Sequence, residues 1–261
     1  MVLYLQKESD IMFSWLSDLV IKVGDAGLAH LIFYSLHIIS YIACIALAMY
    51  FGTKMNVKPF KCALMVLMGF SMCYGFMLLF FWVQSGFRIF GGQNISTVYI
   101  YFPLLYYLPA KLFKVDTAKY CSMLAAGTPL TQAIGHTGCV FLGCCGGYPA
   151  EWGVYNYLTK QTVVPNQLLE ALVALAIAIY MFLRLKRRDF SPDFRDYPVM
   201  LILFGSTRFF LEFLRNNKKI LFGCSAICFH MIFMVLVGVV WLVLCNKSEK
   251  KKSVVVASTI D

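Results

Sequence analysis

The chain has 261 residues, of which 60% are hydrophobic, 16% aromatic and 14% charged, whereas a soluble domain carries about a quarter charged residues. That composition excludes an ordinary cytosolic enzyme, a disordered chain and a collagen-like repeat. Lys and Arg number 23 against 13 Asp and Glu, a formal charge of +10; in so apolar a chain this excess bears on orientation and anionic lipid headgroups, and no nucleic-acid partner is expected.

Residues 1–25 carry Asp10, Asp18 and Asp25 among apolar residues. They lack the basic start and small-residue cleavage site of a signal peptide and read as an interfacial segment. Seven apolar stretches follow. Ala26 to Thr53, Cys62 to Phe87, Ile89 to Ala110, Tyr120 to Ala150 and Ile220 to Asn246 contain no Asp, Glu, Lys or Arg. Pro165 to Leu183 is interrupted only by Glu170, and Tyr197 to Leu214 only by Arg208 and Glu212. Each is long enough to cross ~30 Å of hydrocarbon as a helix. If the N-terminus lies outside, the cytoplasmic breaks hold fifteen of the 23 basic residues, among them Lys54, Lys58, Lys61, Lys111, Lys114, Lys119, Arg184, Arg188, Arg195 and Lys250 to Lys252. Cytoplasmic loops are enriched in Lys and Arg. The expectation is an all-α polytopic membrane protein with seven transmembrane helices over 26–246, the N-terminus outside, and a basic, disordered cytoplasmic tail over 247–261. No internal repeat is evident. Cys44, Cys62, Cys73, Cys228 and Cys245 fall inside apolar stretches and behave as small hydrophobes.

Two constellations carry chemistry. The first runs from Gly135 through His136, Gly138, Cys139, Gly143, Cys144 and Cys145 to Gly147, followed by Trp152-Gly153 and by Gln167 and Glu170. Glycine allows close approach of backbone to a ligand, and irregular backbone at membrane depth needs burial by protein or water; the competing reading is a small-residue helix-packing face. The second is Arg208, Glu212 and Arg215. Spacings of four and three put them on one helical face. Ionisable groups inside a span cost ~2.5–3.5 kcal/mol each on insertion scales, so they face partners, a polar cavity or headgroups. An Arg–Glu pair locking the helices is one reading, and a guanidinium fork binding a phospholipid phosphate is the other. Glu170 needs a partner too, with Arg208 or Arg215 the candidates. His136 is a candidate general base, though a histidine among glycines is more often a hydrogen-bonding structural residue. The C-x4-CC spacing of Cys139, Cys144 and Cys145 does not match the two-pair zinc pattern, so no metal is expected, and a disulfide from Cys139 to a neighbour or to Cys224 is the competing use. No nucleotide-cofactor motif occurs.

The order Gly135-His136-Thr137-Gly138 with Phe141 and Gly143, then Trp152-Gly153, then Pro165-x-Gln167-Leu168-x-Glu170, then Arg208-Phe209-x-x-Glu212-x-x-Arg215 resembles the bacterial prolipoprotein diacylglyceryl transferase family, in a divergent, Cys-rich variant. The likeness extends over nearly the whole chain, with Gly27 and Phe33-Tyr34 similar to the family's Tyr-containing first span. It implies a multi-pass enzyme of the bacterial inner membrane whose active site faces outward and needs no cofactor. The implied donor is phosphatidylglycerol and the implied acceptor the lipobox cysteine thiol of a preprolipoprotein signal peptide, with glycerol phosphate released. It also implies that Arg208 acts catalytically and that Arg215, Glu212, Glu170, Gln167, Tyr34, Gly135, Gly138 and Gly143 bind substrate, while the catalytic role of His136 rests on its position beside the Gly-rich loop and not on the resemblance. The chain departs from the family pattern in two places. His136 and Cys139 stand where the family signature has Arg and Asn, and the segment after Gly91-Gly92 reads Gln93-Asn94-Ile95-Ser96-Thr97-Val98 where the family has His-Gly-Gly. Two other functions share the Arg/Glu helix: a non-catalytic protein that binds or moves lipid, and a transferase with another acceptor.

Overall fold

The computed structural model describes residues 2–23, 26–84, 106–217 and 219–257. Helices dominate: α1 (Val2–Val23), α2 (Ala26–Lys54), α3 (Pro59–Gln84), α4 (106–112), α5 (Thr117–Leu142), α6 (Asn166–Lys186), α7 (Asp196–Leu211) and α8 (Ala226–Ala257). Two antiparallel hairpins, absent from an all-α expectation, are added at one end: β1 (Pro149–Asn156) with β2 (Gln161–Val163), and β3 (Lys219–Leu221) with β4 (Cys224–Ser225). Most of the third expected span, over 85–105, lies outside the described residues, as does the segment after Gly91-Gly92.

Five described helices are long and apolar enough to cross a membrane: Gly27–Lys54, Pro59–Leu79, Asn166–Lys186, Asp196–Leu214 and Ala226–Ser248. Helix α5 is equally long, 26 residues, but is not among them. Thr128, Thr131, Gln132, His136 and several glycines lower its apolarity, and burial explains why they are tolerated: α5 faces protein on every side and packs on α2, α6 and α7. Its small residues let those neighbours approach; a Cβ on Gly127 would lie 2.8 Å from Cys44 Sγ. Pro129 removes one helical hydrogen bond inside α5, while Thr128 and Thr131 donate their hydroxyls to Leu124 and Gly127 carbonyls at 2.8 and 3.0 Å. Tyr120, fully buried, donates to the Met65 carbonyl at 2.6 Å and ties α5 to α3.

The basic breaks share one end of the bundle. Lys119 Nζ donates to Met55 O at 2.7 Å and Lys61 Nζ to Phe113 O at 3.0 Å, each satisfying a carbonyl at the end of another helix. The arginines there are neutralised rather than free. Arg184 and Arg188 converge on the buried Asp196, Arg195 pairs with Asp193, and Ser122 of α5 donates to Asp196 at 2.6 Å. The opposite end gathers the C-terminus of α5, the N-terminus of α6, the C-terminus of α7 and both hairpins. Helix α1 packs there, its Leu16 and Val20 against Val140 and Val154, and Ser17 accepts a hydrogen bond from Tyr155 N. The tail expected to be disordered from Lys247 instead continues α8 to Ala257; Lys, Glu and Ala favour helix once a preceding span has supplied the nucleus.

The Asp196 cluster holds α5, α6 and α7 together. Asp196→Ala is expected to lower stability by roughly 2–3 kcal/mol, because it strips two partly buried guanidinium groups and a buried hydroxyl of their shared acceptor. Thermal unfolding of the detergent-solubilised protein checks this, and an unchanged midpoint would show the cluster to be dispensable.

Candidate functional site

At the hairpin end, Glu170 stands one turn into α6 with 3% of its surface exposed. Arg215 grips it bidentately, Nε to Oε1 and Nη2 to Oε2, both at 2.9 Å. Arg208 Nη1 lies 3.0 Å from Glu170 Oε1 and 2.8 Å from Glu212 Oε2, and His136 Nδ1 lies 3.0 Å from Glu170 Oε2. Asn166 Nδ2 completes the shell of Glu170 at 2.6 Å. Glu212 in turn accepts from Asn217 Nδ2 and, at 2.7 Å, from Ser225 Oγ. Every member is buried or nearly so, which leaves the two arginines and two carboxylates as a charge-balanced set held away from bulk water.

The local backbone departs from a continuous helical stripe. Helix α7 stops at Leu211, a single 3-10 turn covers Glu212–Leu214, and Arg215 is extended at φ −83, ψ 142. There it forms a β-bridge with Gly147. Arg215 therefore reaches Glu170 because the helix ends, not because an i+7 position shares its face.

Other residues expected in the site fall in different places. Gln167 donates to the Cys144 carbonyl at 2.6 Å and braces the loop after α5. Gly135 and Gly138 sit on the face of α5 against α2, where a Cβ would lie 3.4 Å from His37 Nε2 and 3.3 Å from the Phe33 backbone. Both thus serve the helix-packing reading. Gly143 caps α5 in the left-handed conformation at φ 78, its N–H bonded to Cys139 O, a geometry that glycine adopts without strain. Tyr34 is 56% exposed, with its ring against His30 and Phe33, so it touches the ionic network nowhere among the described residues. Trp152-Gly153 lies in β1, where a Cβ on Gly153 would come within 1.9 Å of Val163 O, so the hairpin closes only over glycine.

Sequence reasoning passed over five residues. Asn166, Asn217 and Ser225 are acceptor-satisfying partners, and of these only Asn166, four positions before Glu170, carried a usable signal. Asn156 ties the hairpin to the α5 cap through Nδ2 to Gly143 O at 2.8 Å. Gln132, 1% exposed and one turn before His136 on α5, has both amide atoms without a hydrogen-bond partner among the described residues. Buried polar atoms are rarely left so, which sets Gln132 apart from the other polar residues of α5.

Arg208 differs from Arg215 in how it meets the carboxylates. Among the described residues its contacts are ion pairs without hydrogen-bond geometry, whereas Arg215 is committed to both oxygens of Glu170. Burial opposes the Arg215 charge, but the bidentate Glu170 carboxylate outweighs it and raises its pKa further above the ordinary guanidinium value. The site thus presents a fixed cationic fork beside an imidazole that a carboxylate orients, the equipment for binding a phosphodiester next to a proton acceptor. Cys139, Cys144 and Cys145 gather at the same end, and none of the three is in a disulfide in this structure.

Comparison with known proteins gives the same direction. A sequence model of the family described as prolipoprotein diacylglyceryl transferase matches residues 63–244. A phosphatidylglycerol–prolipoprotein diacylglyceryl transferase 2 of Clostridium perfringens (strain 13 / Type A) is 22% identical over 147 residues, which are 53% of this chain and 56% of the relative. The chain thus spans little more than half the length of the relative it matches.

Glu170 and Arg215 are expected to be strongly coupled. Glu170→Ala alone should cost about 3–5 kcal/mol, since it leaves buried guanidinium groups without a counter-ion. In a double-mutant cycle with Arg215→Ala the loss in the double mutant should fall short of the sum of the two single losses by at least ~1 kcal/mol, and strict additivity in denaturant or thermal titration would refute the pairing.

Proposed function

The chain belongs to the prolipoprotein diacylglyceryl transferase family, and from that membership we propose that it transfers diacylglyceryl from phosphatidylglycerol to the lipobox cysteine thiol of a preprolipoprotein signal peptide. The observation that carries this reading is Arg208: a buried guanidinium whose Nη1 is positioned between Glu170 Oε1 at 3.0 Å and Glu212 Oε2 at 2.8 Å, beside the imidazole of His136. A fork of this kind matches two phosphate oxygens and is most effective in a site with little water, where it stabilises the charge gathering on the departing glycerol phosphate. Arg215 shares the field and fixes Glu170. His136, held by Glu170, receives the proton of the acceptor thiol. Gln132, one turn further along α5, offers an amide to the glycerol hydroxyls or ester carbonyls.

The seven-span arrangement with the N-terminus outside belongs to the same proposal. The basic residues at the end that collects Lys54, Lys61, Lys119 and the Asp196 cluster support a cytoplasmic side there, and in this proposal the ionic network lies at the outer face of the inner membrane. Exposed Phe222, Ile220 and Leu221 on the β3–β4 hairpin suit the headgroup boundary at that depth. Residues 1–25 form an outer interfacial segment in this arrangement and 247–261 the cytoplasmic tail, with 26–246 as the membrane domain.

Purified full-length protein in vesicles containing phosphatidylglycerol is expected to add one diacylglyceryl group to a lipobox peptide, read by mass spectrometry. Arg208→Ala should lower turnover by ~10²–10³ while the protein stays folded and membrane-inserted. Near-normal turnover in that variant would remove the clamp. Loss of phosphatidylglycerol to another product with the peptide unchanged would move the assignment to a transferase with a different acceptor.

A further inference from the structure

The three cysteines of the loop after α5 have no part in the mechanism above. Cys139 is the fourth residue from the end of α5 and is buried; Cys144 and Cys145 follow the left-handed cap at Gly143. Cys145 is itself in the left-handed region at φ 63, which a cysteine adopts only where surrounding contacts impose it. The effect is to fold the loop back on the helix, so that the three Sγ atoms all lie within 4.8 Å of one another. The loop is braced on both sides: Gln167 holds the Cys144 carbonyl at 2.6 Å and Gly147 bridges to Arg215. None of the three sulfurs is in a disulfide.

Three converging thiols suit a soft cation. Zn–S bonds of about 2.3 Å in a tetrahedral site place the sulfurs roughly 3.8 Å apart, and the three Sγ atoms already lie within 4.8 Å of one another. Three protein ligands also leave the fourth position open, as in catalytic rather than structural zinc sites. The neighbouring residue is Arg215, whose charge reaches Cys144 and Cys145 and offsets the negative charge of a trithiolate complex.

We infer that Cys139, Cys144 and Cys145 bind one divalent thiophilic cation of the zinc type, whose open position receives the thiol of the acceptor peptide. This rests on the transfer reaction proposed above, and it answers that reaction's main chemical demand. A thiol coordinated to such a cation is deprotonated at neutral pH, and attack on a glycerol carbon needs the thiolate. The step balances without an oxidant or reductant. The acceptor S–H gives its proton to His136, the sulfur forms a C–S bond to the glyceryl carbon, the C–O bond of that carbon breaks, and its electron pair leaves on the phosphate of glycerol phosphate. Placing the cation in the loop that bridges to Arg215 brings the nucleophile and the phosphate clamp to one end of the bundle.

The test uses the full chain in detergent, reduced and stripped of metal, with Co(II) or Zn(II) alone as the probe. One equivalent should bind per chain, with the near-ultraviolet thiolate-to-cobalt band of sulfur ligation. Cys139→Ser and Cys145→Ser should each weaken binding by more than ~100-fold, beyond the loss expected from an outer partner alone, while Cys224→Ser binds as the parent does. Circular dichroism and gel filtration confirm that each variant is folded. A lipobox peptide should then shift the cobalt spectrum, and its Cys→Ser analogue should not. Failure of the reduced protein to bind, a spectrum indifferent to the peptide thiol, or full transferase turnover in the metal-free enzyme would each overturn the inference, the last leaving the transfer reaction intact. A peptide-dependent spectrum without any diacylglyceryl transfer from phosphatidylglycerol would uphold the metal site and reject the proposed reaction instead.

Discussion

A carboxylate that bulk water scarcely reaches organises the hairpin end of this protein. Glu170 meets Arg215 through two hydrogen bonds, Arg208 and His136 at ion-pair distance, and Asn166 through a fifth contact. Its partners come from α5, from α7 and from the chain just beyond α7. None of those charges is tolerable alone at such burial, because an unpaired guanidinium in a low-dielectric interior costs several kcal/mol. The positions of α5, α6 and α7 at this end are therefore interdependent. Displacing one strands the charges carried by the others.

The same logic appears in mirror form at the basic end, where Asp196 collects Arg184, Arg188 and Ser122. The two clusters differ in what remains available. At the basic end the guanidinium groups are hydrogen-bonded to carboxylates and partly solvated, an arrangement that fastens helices. In the cluster at the hairpin end Arg208 Nη1 lies between two carboxylates, and Gln132 has no hydrogen-bond partner among the described residues. On the proposed reaction, a site that binds a phosphate keeps some of its polar capacity unsatisfied, at a cost in stability that the surrounding pairs offset.

Helix α5 links these two ends and explains an apparent contradiction between composition and position. A span rich in Thr, Gly, Gln and His is a poor candidate for contact with lipid, yet it is the most thoroughly buried helix of the described residues. Its small residues allow α2 and α6 to close around it, and its hydroxyls bond back to its own carbonyls, so the polar content is neutralised locally. The glycines that looked like a ligand cradle are divided between this packing and the cap at Gly143. The cysteines that follow the cap are brought together by the turn it makes.

Much of the architecture was legible in the residues. Long apolar stretches must become helices because lipid satisfies no backbone polar group, and basic residues at alternate breaks must share a side, as Lys61 and Lys119 do through their carbonyl contacts. Glu170, Arg208 and Glu212 were also identifiable, since ionisable groups inside apolar stretches need partners. Their pairing was not. The i, i+4, i+7 spacing suggested one stripe on a continuous helix, but α7 ends at Leu211 and Arg215 is delivered in extended conformation by its bridge to Gly147, a contact across 68 positions of sequence. Asn217, Ser225 and Gln132 carry no mark in sequence because an uncharged polar residue acquires meaning only from what lies opposite it. Cys139, Cys144 and Cys145 show the division most clearly. Linear spacing argued against a metal, because the two-pair pattern was missing. The left-handed turns at Gly143 and Cys145 decided which sulfurs meet, and those backbone angles arise from the packed loop rather than from the order of its residues.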